Sequence, residues 1–179
     1  MQEEQFDIVD NQNKPIGQIA SRSEAHDKGL WHRTVHVYFY RVKNGNIELL
    51  AHLRSRDKDA NPHKWDTRFG GHIKAGQTAE EAAVSETQEE VGIAIKEEDL
   101  LDGGWWSKNE EGRHFSRNFF YQFNGDIDDL HFDDGEVEQV KWMTAPHIEK
   151  EIFNNSDKWT GKIAGFQKVV EFLTHHRGG

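Results

Sequence analysis

Residues 70–93 read GGHIKAGQTAEEAAVSETQEEVGI. The fold turns on the acidic run inside that stretch, because Glu86, Glu89 and Glu90 form either a metal-binding helix face or a solvated turn ahead of a glycine. Thr78 and Glu81 have the spacing of a capping box, in which hydroxyl and carboxylate each accept the other residue's backbone N–H, and Gly92 suits the left-handed residue that ends a helix. The spacing predicts a helix over 79–91. Turning about 100° per residue, Ala79, Ala83, Val84, Thr87 and Val91 share one broad arc; Glu86 and Glu90 lie on its border and Glu89 slightly further round. Glu81, Ser85 and Gln88 fall on the far side. Three neighbouring carboxylates at the C-terminal end of a helix repel one another and oppose the helix dipole, and a bound divalent cation reverses both effects. Oxygen ligands suit Mg2+ or Mn2+, which act where phosphate oxygens complete the coordination shell. The competing reading is an ordinary solvated acidic face.

Upstream, TVHVYFYRV (34–42) and IELLAHLRS (47–55) flank KNGN, a strong Asn-Gly hairpin signal. FDIVDNQNKPIGQIASR (6–22) places two short apolar runs around a polar turn, which suits a second hairpin. Between the 34–55 hairpin and the acidic helix, RSRDKDANPHKWDTRFGGH (54–72) reads as a long loop entering a short strand and a tight turn. Downstream, IAIKEEDLL (93–101), HFSRNFFYQF (114–123) and EVEQVKWM (136–143) read as strands, while APHIEKEIF (145–153) and KIAGFQKVVEFLTHH (162–176) read as helices. No repeat or linker interrupts the series, so one mixed α/β domain over 1–179 is expected, with a hairpin extension over about 1–30.

The 179 residues include 32 Asp and Glu against 22 Lys and Arg, a net charge of −10. That balance argues against nucleic acid and anionic membrane as partners, while leaving room for a local cationic pocket. Mean hydropathy is −0.89, yet 6 Trp and 11 Phe supply bulky core material. With no cysteine, disulfides, thiolate metal sites and a thiol nucleophile are excluded, and any metal must use oxygen or imidazole. The acidic N-terminus MQEEQFDIVD has neither the basic nor the apolar segment of a secretory signal, and no apolar run approaches a membrane span, so a cytoplasmic location is expected.

The 70–93 stretch resembles the signature of Nudix hydrolases, G-x5-E-x7-R-E-U-x-E-E-x-G-U with U a bulky apolar residue. Gly71, Glu86, Glu89, Glu90, Gly92 and Ile93 match in register. The resemblance implies an α/β/α sandwich around a mixed sheet and resolves the acidic run in favour of a metal-site helix. Three positions depart from it: Gln77 stands for the signature Glu, Ser85 for the Arg and Thr87 for the bulky apolar residue. In the family that Arg helps orient the catalytic carboxylates, so Ser85 puts catalytic efficiency in doubt. Ser85→Arg is accordingly expected to raise turnover roughly tenfold, unless another cation such as Arg113 or Arg117 fills the role.

Over roughly residues 3–145 the chain also looks like the Nudix branch related to type I isopentenyl-diphosphate isomerase. Gly70 occupies the position of that isomerase's catalytic Cys, so isomerisation by the usual protonation is not expected. His32 and His72 match imidazoles that serve its metal and His26 lies near a third, although lone histidines are also common structural residues. Arg54 and Lys58 match residues that hold a diphosphate.

The resemblance thus implies a hydrolase that uses Mg2+ or Mn2+ to cleave the diphosphate linkage of a nucleoside diphosphate derivative or related organic diphosphate. Its expected metal ligands are Glu86, Glu89, Glu90 and the carbonyl of Gly70 or Gly71. Glu86, Glu89 and Glu136 are the catalytic candidates, Glu136 as general base; Arg54, Lys58 and His72 are the substrate contacts. The expected partner is a small-molecule diphosphate, and the expected state a monomer or homodimer. The alternative is a Nudix-fold ligand-binding or regulatory module that has lost turnover. Trp105, Trp106 and Phe115 suit either base stacking or core packing.

Overall fold

The computed structural model describes residues 3–58, 60–132 and 135–176. In chain order the elements are β1 (Gln5–Val9), β2 (Pro15–Ser21), α1 (Arg22–Asp27), β3 (His32–Lys43), β4 (Asn46–Arg54), β5 (Trp65–Asp66), α2 (Ala79–Val91), β6 (Leu100–Asn109), β7 (His114–Gln122), β8 (Val137–Thr144), α3 (Ala145–Asn154) and α4 (Ile163–His175). The chain divides into two compact units. One comprises Met1–Val37, Phe69–Glu89 and Ile93–Phe120; the other comprises Tyr38–Arg68, Glu90–Gly92 and Tyr121–Gly179. Strands β3 and β7 and helix α2 each contribute residues to both.

In the first unit β1 and β2 form an antiparallel hairpin from Gln5↔Ser21 to Val9↔Pro15, with a register shift at Ile8/Val9. Its turn closes because the Asp10 carboxylate accepts from the backbone N–H of Gln12 (2.8 Å) and Lys14 (2.9 Å). Ser21 then caps α1 by accepting from the Glu24 N–H at 3.2 Å, and Ala25 packs with Phe6, Ile8 and Ala20 into a small buried cluster. The strand order here is β3-β7-β6, and Thr34 on β3 meets Ser116 on β7 through a buried 2.8 Å hydroxyl pair. The segment 69–73 lies along β3. Val37 and Phe69 exchange both backbone hydrogen bonds (2.7 and 3.0 Å), Val35 donates to the Gly71 carbonyl (2.9 Å), and Ile73 donates to Arg33 (3.0 Å).

The second unit contains the Asn-Gly hairpin: Lys43 pairs with Asn46, with Asn44 at φ 51° and Gly45 at φ 77°, the left-handed pair that matches strand twist. Strand β4 also carries β8 along most of its length, from Glu48↔Thr144 to Arg54↔Val137, and pairs with β5 at His52↔Asp66 and Leu53↔Trp65. These ladders are antiparallel; Trp65 and Trp159 add a parallel bridge. Helix α3 buries Ala145, Ile148 and Ile152, and α4 buries Phe166, Val169 and Leu173, so that both pack on each other and on β4. Beside them Asp66 is buried. It accepts from Thr67 N–H (2.7 Å), Arg68 N–H (3.0 Å) and both arms of the Arg68 guanidinium (2.8 and 3.0 Å), and Arg68 donates to the Thr160 hydroxyl at 2.8 Å. Burial alone would raise the Asp66 carboxyl, but the Arg68 charge and hydrogen bonds outweigh it and hold the pKa well below the usual carboxylate range.

One local expectation needs correction. The stretch 93–101, read as a strand, stays out of the sheet until Leu100, because Glu97–Asp99 close a 3-10 turn in which the Asp99 carboxylate accepts from the Lys96 N–H at 3.1 Å.

Candidate active site

Helix α2 forms where its capping signals place it. Thr78 N–H donates to the Glu81 carboxylate (2.8 Å) and Glu81 N–H to the Thr78 hydroxyl (3.1 Å), while Gly92 takes φ 73° beyond the last turn. Ala79, Ala82, Ala83, Thr87 and Val91 are buried. Of the acids, Glu86 is buried at 9% exposure, Glu90 is half-buried, and the Glu89 side chain is 61% exposed. That gradient follows the order in which the three leave the apolar arc.

Glu86 lies beside the turn ahead of the helix. A Cβ added at Gly71 would stand 2.7 Å from Glu86 Cδ and 2.9 Å from Oε1, so the carboxylate lies directly against the Gly71 backbone. Gly70 is constrained from the other side. It takes φ 133°, and a Cβ there would come 3.0 Å from the Val35 carbonyl carbon. The Gly71 carbonyl, one of two alternatives for an oxygen ligand, already accepts from Val35 N–H and keeps one lone pair for anything else.

The arginines offered as substitutes for the missing signature Arg are engaged elsewhere. Arg117 binds Asp102 (2.6 Å) and Glu80 (2.9 Å); Arg113 lies 3.7 Å from Glu110 and over the Trp31 ring. Lys74 reaches the Glu89 carboxylate at 3.9 Å. Ser85, expected on the outer side of α2, is instead half-buried and bonded to Gln77: the amide Nε2 donates to the serine Oγ at 3.2 Å. Two departures from the signature therefore touch each other.

In the same unit the structure gathers His26, His32 and His72, whose ligand-capable nitrogens all lie within 4.8 Å of one another. His32 is fully buried. Its Nδ1 donates to the Leu30 carbonyl at 3.0 Å, which leaves Nε2 as the lone-pair atom, and that atom is buried with no hydrogen-bond partner among the described residues. Burial, followed by neighbouring positive groups, pushes His72 down to about 3; burial pushes His32 down to about 4. Both imidazoles are therefore neutral near pH 7, the form that ligates metal. This also bears on His72 as a substrate contact, since a neutral ring stacked on Phe6 at 4.7 Å offers no positive charge to a phosphate. Sequence spacing alone did not single out His26 and His32; the only signal was the resemblance to the isomerase branch.

The remaining candidates belong to the second unit. Lys58 forms an ion pair with Glu136, and Ser55 N–H donates to the Glu136 carbonyl at 2.8 Å, so a phosphate-binding candidate and the general-base candidate are partners. The loop around them is further held by Glu138, which accepts from Arg56 N–H (2.9 Å) and lies 3.2 Å from His63. Arg54 donates to the Ala60 carbonyl at 3.1 Å. Of the aromatic candidates, all in the first unit, Phe115 is core, buried with Val9 and Trp31. Trp106 packs at 5.5 Å on Phe120, and Trp105 is 38% exposed with the Arg33 guanidinium 5.2 Å from its ring centre. Among the described residues no helix is long and apolar enough to cross a membrane.

A family model described as the NUDIX domain matches residues 30–161. Over 104 residues the chain is 38% identical to an uncharacterized Nudix hydrolase of Clostridium acetobutylicum, covering 58% of this chain and 50% of that protein; the chain thus spans about half the length of that relative. It is 28% identical over 173 residues to an isopentenyl-diphosphate Delta-isomerase of Aliivibrio fischeri, covering 94% of each. Among solved structures, a Deinococcus radiodurans protein superposes with a TM-score of 0.74 at 20% identity, covering 92% of this chain and 98% of that one. At such identity the likeness speaks for the fold, a mixed sheet with helices.

Proposed function

This chain belongs to the NUDIX family and has its α/β fold, and from that premise we propose that it is a divalent-metal-dependent hydrolase of the diphosphate linkage in a nucleoside diphosphate derivative or related organic diphosphate. The observation that supports this reading is the buried Glu86 carboxylate lodged against Gly71, where a Cβ would displace it. Glu89 and Glu90 follow Glu86 on the same helix, and a cation would offset the mutual repulsion of the three. The donor set of Glu86, Glu89 and Glu90, with the carbonyl of Gly70 or Gly71, suits the oxygen preference of Mg2+ or Mn2+. When bound, such an ion polarises a phosphorus centre and lowers the pKa of water.

The chain's own residues have distinct tasks in this reading. Glu86 supplies a ligand oxygen at a position fixed by packing, whereas Glu89, mostly exposed, swings to meet the ion or the phosphate it carries. Arg54 and Lys58 neutralise the diphosphate, and Glu136, held by Lys58, accepts a proton from the attacking water. The imidazole triad fits a second divalent ion of the kind that prefers nitrogen ligands, and its bare, buried His32 Nε2 supports that fit.

A screen of dinucleoside polyphosphates, nucleotide sugars, nucleoside triphosphates and prenyl diphosphates with millimolar Mg2+, read by 31P NMR, tests the proposal. Mg2+-dependent appearance of two phosphorylated fragments from at least one class supports it. Tight binding of a diphosphate with no turnover in any class would favour the binding-module alternative.

A further inference from the structure

We infer that Gln77 and Ser85 act as one uncharged clasp that positions Glu86; the inference rests on the metal-hydrolase reading of the α2 carboxylates. Both ends of the Gln77 amide are used. Its oxygen accepts from Lys74 N–H at 3.2 Å and its nitrogen donates to Ser85 Oγ at 3.2 Å, while its own N–H donates to the Lys74 carbonyl at 3.0 Å. Ser85 in turn donates to the Ala82 carbonyl at 3.1 Å. One side chain therefore ties the 74–77 turn to the helix residue immediately before Glu86.

The same turn is anchored at its other points, since Ala75 N–H donates to the Gln5 carbonyl (2.7 Å) and Gly76 N–H to the Asp7 carboxylate (2.8 Å). Segment 71–77 is thus fastened to α2 at both ends, by the Gly71–Glu86 packing and by the Gln77–Ser85 bond. The spacing between turn and helix sets where the Glu86 carboxylate stands against the Gly71 backbone. With the Ser85 hydroxyl donating to the Ala82 carbonyl, the amide at 77 meets both partners at once, whereas a carboxylate there would need that hydroxyl to turn from Ala82 and donate to it.

This alters the expectation for Ser85→Arg. A guanidinium at 85 finds at 77 only a neutral amide oxygen that already accepts from Lys74 N–H, and of the acids one turn away, Glu81 and Glu89, the second is a candidate metal ligand, where it competes with the ion. A carboxylate introduced at 77 gives that guanidinium a partner of its own. Arginine at 85 is therefore predicted to be tolerated only together with a carboxylate at 77.

The test is a double-mutant cycle of Gln77→Glu, Ser85→Arg and the double variant. Calorimetric Mg2+ affinity is the first readout, since Mg2+ seeks oxygen ligands and so reports on the carboxylates rather than the imidazoles. Urea unfolding in EDTA is the second. Ser85→Arg alone should weaken Mg2+ binding at least fivefold, and the double variant should return to within twofold of wild type, with non-additive stability in EDTA. Additive effects on both readouts would overturn the clasp, as would stronger Mg2+ binding in Ser85→Arg alone. Coupled stability together with no Mg2+ binding in wild type would keep the contact but remove its positioning role, and would count against the metal reading. Coupled Mg2+ affinities with no hydrolysis of any substrate would leave the clasp standing and fail the hydrolase reading instead.

Discussion

Gly71→Ala separates the candidate site from the fold with a single methyl group. The new Cβ would lie 2.7 Å from Glu86 Cδ, whereas carbon atoms rest at about 3.5–4.0 Å, so the carboxylate must retreat by about 1 Å. It is the far end of a flexible side chain, and an off-rotamer adjustment costs about 0.5–1.5 kcal/mol. A 1 Å misplacement of a catalytic group costs about 100-fold in rate, or about 2.7 kcal/mol of transition-state stabilisation. Gly71→Ala should therefore lose about 100-fold in kcat/KM while unfolding in urea only about 1 kcal/mol earlier. Gly70→Ala is the control of opposite kind. There the Cβ meets the Val35 backbone, 3.0 Å from its carbonyl carbon, at φ 133°, and since backbone cannot step aside the cost falls on folding, about 3 kcal/mol or more. Steady-state kinetics at saturating Mg2+ and urea unfolding of both variants provide the measurement. Full activity in a folded Gly71→Ala protein, or equal destabilisation by both substitutions, would refute the reasoning.

Lys58→Ala should raise KM for a diphosphate substrate about tenfold with little change in kcat, as expected for a group that binds phosphate equally in ground and transition states; a fall in kcat at constant KM would contradict that role. His52, pushed down to about 4 chiefly by burial, is neutral in the fold but protonated in the unfolded chain below about pH 6.5. The unfolded state thus binds more protons between those values, and stability falls as pH drops from about 6.5 to 4. Urea unfolding from neutral pH to about pH 4 should show His52→Gln flattening that slope by up to about 1.4 kcal/mol per pH unit, and an unchanged slope would rule His52 out as its source. With no cysteine in the chain, isopentenyl diphosphate should not be converted to its allylic isomer even with saturating Mn2+, as followed by proton NMR; robust conversion would mean that another acid performs the protonation.

Much of this was legible in local chemistry. The bounds of α2 follow from Thr78, Glu81 and Gly92, and the hairpin of β3 and β4 from Asn44-Gly45, because caps and left-handed turns are decided by neighbouring atoms. The 93–101 stretch misled for a related reason. Ile93 and Ile95 alternate like a strand, but the Asp99 side chain captures the Lys96 N–H and closes a turn. Gly103 and Gly104 disguise β6, in which Gly104 takes φ 81° as a bulge would. The site is harder to read because its contacts are distant in the chain. His26 and His72 meet within one cluster, and Lys58 meets Glu136, through pairings that no local pattern specifies. The Gln77–Ser85 bond is intermediate. Its two residues stand out separately as departures from a signature, and only the three-dimensional contact shows that they are related.

In the proposed reaction the α2 carboxylates hold the cation on which hydrolysis depends. The most direct test is the Mg2+ dependence of product formation from the best substrate by wild type and Glu86→Gln. Wild type should show saturable dependence on Mg2+ and complete loss of activity with EDTA, and a folded Glu86→Gln protein should have a kcat/KM lower by about 100-fold. Hydrolysis that persists in EDTA, or that proceeds at the wild-type rate without the Glu86 carboxylate, would contradict it.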